Sequence, residues 1–430
     1  MDRVIEGKAY VNGSFQHCCI GIKDGKIQQI KKILRSDEHI NFGNNLIIPA
    51  GIDLHVHFRD PGYTHKEDFK TGSISAAFGG MSCVFDMPNT HPPTITKNSL
   101  IDKIQIAENK CYVDFGIFSG VTDNNIENLS KLAKLCCGFK IFLGNTTDAF
   151  QLNKNNLKNA LYKIKKTNLI ALIHAEDELC LKKYKINVKN LKDHLNSRPA
   201  ECEESSIKSI LQINKDISSK IHICHISSNE GLNSLNKSPD NISVGVTPHH
   251  LIFEITNNNL NQTIYKVNPP IRTHFDRESL WNGIINGSID VLESDHAPHT
   301  LDEKDQEFNN APSGIPGVET LFPLFLAAVK KSNIEFNRLI SLICEKPADI
   351  LDIPKGRIEL GKDADLIVID YKNMSTIKSD NLHYKCRWSP FEGMNAIFPS
   401  FVFIRGSEII ENHELVGSQG FGCNIKEKIS

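Results

Sequence analysis

No apolar run in these 430 residues approaches the roughly 18 that a helix needs to span a bilayer, which argues against a membrane segment. The opening stretch Met1-Asp2-Arg3-Val4-Ile5-Glu6 lacks the apolar core of a signal peptide, so a cytoplasmic location is expected. Neither sign of charge dominates. With a formal net charge of -2 and no long block of like charges, the footprint of a nucleic-acid-binding domain is missing, and an anionic substrate would have to be held by local groups. The 12 cysteines include no Cys-x-x-Cys knuckle, and they are expected to be reduced and mostly buried. Low-complexity segments and internal repeats are absent too. What is present, 40% hydrophobic and 23% charged residues, describes a globular chain with enough length for a large core.

The most informative stretch is Asp53-Leu54-His55-Val56-His57-Phe58-Arg59-Asp60-Pro61. Side chains on a strand alternate faces, so His55 and His57 share one and can turn toward a single metal ion. The run Leu46 to Ile52 reads as the apolar lead-in of that strand. Further strand candidates are Ser82 to Asp86, Tyr112 to Ser119, Gly138 to Leu143, Leu169 to His174, Lys220 to Ile226, Ile242 to Val246 and Ser288 to Ser294. Amphipathic stretches such as Lys97 to Lys110 and Cys202 to Asn214 separate them. Eight strand-then-helix units predict an α/β fold, a TIM-like (β/α)8 barrel over residues 51–350 with its site at the carboxyl ends of the strands. Hairpin-like segments near both termini predict that residues 1–50 and 351–430 pair into one small β-sandwich domain.

Polar residues fall where the barrel reading wants them. Lys140 interrupts an apolar strand, which is costly without a partner. His174, His225, Asp295 and His299 follow strand ends. His222 and His225, three apart, should point to opposite faces, and Thr247-Pro248-His249-His250 is read as structural hydrogen bonding. The long segment Thr300 to Gly317 is a candidate cover for the site.

The blocks Asp53 to Pro61, His65-Lys66-Glu67-Asp68-Phe69, Asp86-Met87-Pro88-Asn89-Thr90, Asp295-His296-Ala297-Pro298-His299 with Lys304, and Gly361 to Leu366 resemble those of the dihydroorotases, the longer bacterial kind, in the amidohydrolase superfamily. That resemblance implies a zinc hydrolase of cyclic amides. His55, His57 and Asp295 would hold one zinc, His174 and His225 a second, and Lys140 would bridge them as a carbamate, with a single firmly bound metal as the alternative. It further implies Asp295 as the catalytic proton carrier, and Arg59, Asn89, Asn268 and His299 as contacts to N-carbamoyl-L-aspartate or dihydroorotate. A salt bridge to Asp60 or Glu67 is the competing role for Arg59. His91 departs from the asparagine expected in the Pro-Asn-Thr loop. Rival readings are an allantoinase or hydantoinase with the same metal residues, or an inactive subunit of the same fold. A homodimer, or association with aspartate transcarbamoylase, would rest on family likeness alone.

Overall fold

The computed structural model describes all residues except 147–149, 237, 257, 259–261 and 429–430. Eight strands form a parallel sheet in sequential order: β5 (Gly51–Val56), β6 (Met81–Asp86), β7 (Asp114–Gly120), β8 (Gly138–Phe142), β9 (Ile170–His174), β10 (Ile221–Ile223), β11 (Ile242–Val246) and β12 (Val291–Leu292). A parallel bridge between Val56 and His296, with His57 N donating to His296 O at 2.8 Å, brings the two ends together into a barrel. Buried on both faces, these strands read as near-continuous apolar runs rather than as strict alternation.

The barrel interior is filled by Ile52, Leu54, Cys83, Phe85, Phe118, Leu172 and Val291, and Ala348, Leu351 and Ile353 pack into the same cluster. A larger apolar cluster, including Val84, Phe115, Phe139, Ile141 and Ile173, occupies the outer side of the strands under the helices. Register irregularity between Asp53 and Val56 sits where β5 changes from packing Leu54 inside to presenting His55. Bulges of this kind re-aim side chains next to functional sites.

The two chain ends build one mostly antiparallel sheet. It contains β1 (Arg3–Val11), β2 (Ser14–Lys23), β3 (Lys26–Lys31), β4 (His39–Pro49), β13 (Leu366–Ile369) and, beyond a two-stranded pair of β14 (Ser375–Thr376) and β15 (Asn395–Ala396), β16 (Phe401–Ile404), β17 (Ser407–Glu411) and β18 (Glu414–Leu415). The predicted lead-in Leu46 to Ile52 is therefore two strands. Leu46 to Pro49 pairs with β13 in the small sheet, and the barrel begins only at Gly51. Two cysteines also correct the expectation of free thiols. Cys180 and Cys202 form a disulfide with Cα atoms 5.2 Å apart. It joins the helix Glu178–Lys183 to the helix Ala200–Asn214, already drawn together by Asp177 N donating to Cys202 O at 2.9 Å. Nine of the other ten cysteines are buried, and Cys423 is exposed. No described helix is long and apolar enough to cross a membrane.

Candidate active site

The carboxyl ends of the strands open into a hollow whose ionisable lining comes from four of them. His55 and His57 come from the end of β5, His174 from β9, His225 from the turn after β10, and Asp295 from the turn after β12. Asp295 Oδ1 lies 3.3 Å from His55 Nε2 and 3.2 Å from His57 Nε2. Lys140 on β8 places its Nζ 3.5 Å from His55 Nε2 and 3.2 Å from Cys224 Sγ. Among the described residues no carboxylate stands within ion-pair distance of that lysine, whereas Lys103, equally buried, has Asp86 at 2.5 Å.

Partners behind the imidazoles decide which nitrogen faces the hollow. His57 Nδ1 donates to Asn89 Oδ1 at 2.6 Å, leaving Nε2 as a lone pair beside Asp295. His174 Nε2 donates to Glu176 Oε2 at 2.8 Å, and Arg198 Nη2 holds the same carboxylate oxygen at 2.6 Å. The His174 Nδ1 lone pair then meets His225 Nε2 at 3.2 Å. Burial, with Arg59 and His55 adding to it, pulls His57 down to about 3 despite its contact with Asp295. Burial likewise lowers His174 and His225. Neutral imidazoles converging on a carboxylate are a metal-binding donor set. His55, His57 and Asp295 hold their ligand atoms within 4.8 Å of one another. Two buried ring nitrogens, His55 Nδ1 and His225 Nδ1, have no hydrogen bond. The residues present fit a metal.

A carboxylate not foreseen in the sequence organises this rim. Glu293 Oε2 lies 3.1 Å from His222 Nε2 and 3.6 Å from His55 Nδ1, while Oε1 accepts from His225 N at 2.6 Å. Its space exists because residue 245 is glycine. A Cβ there would meet Glu293 Oε1 at 2.5 Å and His222 Nε2 at 2.7 Å. An acid directly after the apolar pair Val291-Leu292 was the available signal. His222 is thus structural and wholly buried. The two-residue alternation fails between it and His225 because β10 stops at Ile223 and His225 adopts φ 37°.

Arg59 is buried and lines the hollow. The strand ends at Val56, and Arg59 sits beyond it with φ 61°. Its competing partners are engaged elsewhere: Asp60 with Lys110 at 2.7 Å, and Glu67 with the Thr71 hydroxyl. Arg59 Nη2 lies 3.2 Å from His299 Nε2. Asn89 and Asn268 line the hollow, with Asn268 Nδ2 donating to Thr146 Oγ1 at 3.2 Å. His299 stands behind Arg59 and Ser313 rather than on the lining itself. Of the pair after β11, His250 bonds Thr247 and Pro269, as expected of a structural histidine, but neither ring nitrogen of buried His249 has a hydrogen bond. His91 is exposed.

The segment after His299 is a pinned wall more than a free lid. Buried Lys304 donates to the carbonyls of Lys266, Pro312 and Gly314 at 3.2, 3.0 and 3.1 Å. Ser313 and Gly314 thereby line the hollow. Next to it a vestibule of about 620 Å³ is edged by Lys182, Lys185, Arg198 and Lys266 together with Glu178, so cations outnumber acids along its rim.

Comparison with known proteins finds a family match and full-length relatives. The Amidohydrolase family matches residues 46–408. The dihydroorotase of Methanosarcina acetivorans is 39% identical over 96% of this chain and 93% of its own length. That of Thermoplasma acidophilum is 40% identical over 96% of each. Among solved structures, the L-hydantoinase (dihydropyrimidinase) from Arthrobacter aurescens superposes with a TM-score of 0.92 at 26% identity, covering 98% of both chains.

Proposed function

The chain belongs to the amidohydrolase family and stands with its dihydroorotases, and we propose that its hollow catalyses the reversible cyclisation of N-carbamoyl-L-aspartate to (S)-dihydroorotate and water, the third step of pyrimidine synthesis. Fold likeness does not separate this reading from a hydantoinase, because the solved neighbours are hydantoinases. The observation that carries it is the placement of Arg59. A buried guanidinium beside the His55, His57 and Asp295 cluster suits a ring substrate that bears a carboxylate.

His55, His57 and Asp295 would hold one zinc ion, His174 and His225 a second, and Lys140 would join them as a carbamate. The donor set supports this, since a lysine without a carboxylate partner is better buried as an anionic ligand than as a cation beside two dications. Zinc bound there supplies a water of lowered pKa and polarises the amide carbonyl.

The chain's own residues do the rest. Asp295 takes the proton of the attacking water and passes it to the departing ring nitrogen, which gives N-carbamoyl-aspartate. In the biosynthetic direction Asp295 first accepts a proton from the ureido nitrogen, and water leaves. Arg59 holds the α-carboxylate, Asn268 contacts the ring, and Asn89 orients His57 while its amide group faces the hollow. His299 lies beside Arg59 at the carboxylate subsite, its Nε2 3.2 Å from Nη2.

A substrate panel tests the reading. Purified zinc-loaded protein should interconvert dihydroorotate and N-carbamoyl-aspartate and leave hydantoin and allantoin unchanged. Turnover of hydantoin or allantoin with no action on dihydroorotate would replace it with the hydantoinase or allantoinase reading.

A further inference from the structure

His299 is caught between two cations. Lys66 Nζ lies 3.2 Å from Nδ1, and Arg59 Nη2 lies 3.2 Å from Nε2. Neither lysine nor arginine can accept a hydrogen bond, and a neutral imidazole has one lone pair to offer. Burial, with Glu303 opposing and Arg59, Lys66 and Lys304 adding, brings His299 down to about 3, so the ring is neutral. Only one of the two cations can therefore be a true donor to it.

The surroundings favour Lys66. If Nδ1 accepts from Lys66, Nε2 carries the proton and finds Ser313 O at 3.2 Å. That arrangement satisfies both ring nitrogens. In the other tautomer Nε2 accepts from Arg59, but its lone pair also faces the Ser313 carbonyl, and Nδ1–H faces an ammonium. Glu303 does not rescue it, because its Oε2 is 3.6 Å from Nδ1, beyond hydrogen-bond distance. Glu303 Oε1 instead lies 3.2 Å from Lys66 Nζ and holds the ammonium in place.

We propose that Lys66 is a positioning residue: by donating to His299 Nδ1 it fixes the Nε2–H tautomer and releases Arg59 Nη2 from the imidazole to receive the substrate carboxylate. The inference rests on the dihydroorotase reading for the identity of that carboxylate, not for the tautomer. Two donors, Nε2–H and Nη2–H, then face each other at 3.2 Å, an arrangement that an anion relieves. Removing Lys66 lets the ring turn over its proton, and Arg59 becomes tied to Nε2.

The test uses zinc-loaded full-length protein with labelled histidine, as wild type, Lys66→Met and Lys66→Arg, each checked for native circular dichroism. Ring nitrogen and carbon shifts of His299 report its tautomer without substrate. Expected are Nε2–H in the wild type and in Lys66→Arg, and Nδ1–H in Lys66→Met. KM for dihydroorotate should rise about tenfold in Lys66→Met, with kcat changed much less, and Lys66→Arg should recover most of the loss. An unchanged tautomer in Lys66→Met would overturn the proposal, as would a switched tautomer with no rise in KM. Absence of dihydroorotate turnover in the wild type, with the tautomers as expected, would instead overturn the functional reading beneath it.

Discussion

The two ends of the barrel bury the same kinds of side chain and use them in opposite ways. At the amino end, Lys355 is wholly buried with Asp365 at 2.5 Å, Asp114 at 2.7 Å and Asp363 at 3.2 Å. Arg405 also pairs with Asp114, and the backbone groups Cys423 N and Arg405 N donate to Asp114 and Asp365 at 2.9 and 2.8 Å. Burial alone would lower Lys355, but Asp365 and Asp363 outweigh it and keep the ammonium charged. At the carboxyl end, Lys140 faces a thiol and an imidazole, and His55 Nδ1, His225 Nδ1 and both nitrogens of His249 are buried without hydrogen bonds. One end is complementary to itself and clamps β7 to the terminal sheet. The other is complementary to something the chain does not contain. Buried charge marks function only where its partners are missing.

That contrast breaks most visibly at Asp295. Asp295→Asn should lower turnover of dihydroorotate by about 10³-fold or more with circular dichroism unchanged, since it removes the proton carrier and a metal ligand from a rim the fold does not depend on. Lys355→Met should do the reverse. Three carboxylates left near one another without the buried cation they share should cost about 3–5 kcal/mol in denaturant unfolding, while kcat/KM per folded molecule stays near wild type. Equal loss of activity and stability in both variants would erase the distinction between the ends. Within the carboxyl end, Arg59→Lys should raise KM for dihydroorotate about tenfold more than it lowers kcat, because a point charge cannot reproduce the planar fork. The smallest effect belongs to His91→Asn. Exposed and outside the hollow, it should change kcat/KM by less than about twofold.

The sequence carried the repeating units well, because apolar runs and turn residues are local signals. All eight barrel strands formed within or across the expected segments, and the helix Lys97–Lys110 has the expected bounds. Local patterns misled where one continuous run served two sheets, as at Leu46 to Ile52, and where a strand ended before its polar residue, as at His225. Glu293 escaped notice for a different reason. Its partners His222 and His55 lie on other strands, and only closure of the barrel brings them together. The Cys180–Cys202 bond likewise depends on two helices packing side by side, which spacing does not disclose. Most metal-ligand candidates were legible as strand-end residues, while Glu176 and Glu293, which hold His174 and the His225 backbone, were not.

Back-titration of zinc into metal-stripped protein tests the contrast most directly, with dihydroorotate turnover and thermal midpoint read on the same samples. Stripped protein should be folded but inactive, and turnover should climb to a plateau at two zinc ions per chain as the midpoint rises. Full turnover in the stripped protein would contradict a carboxyl-end rim built to be completed by metal.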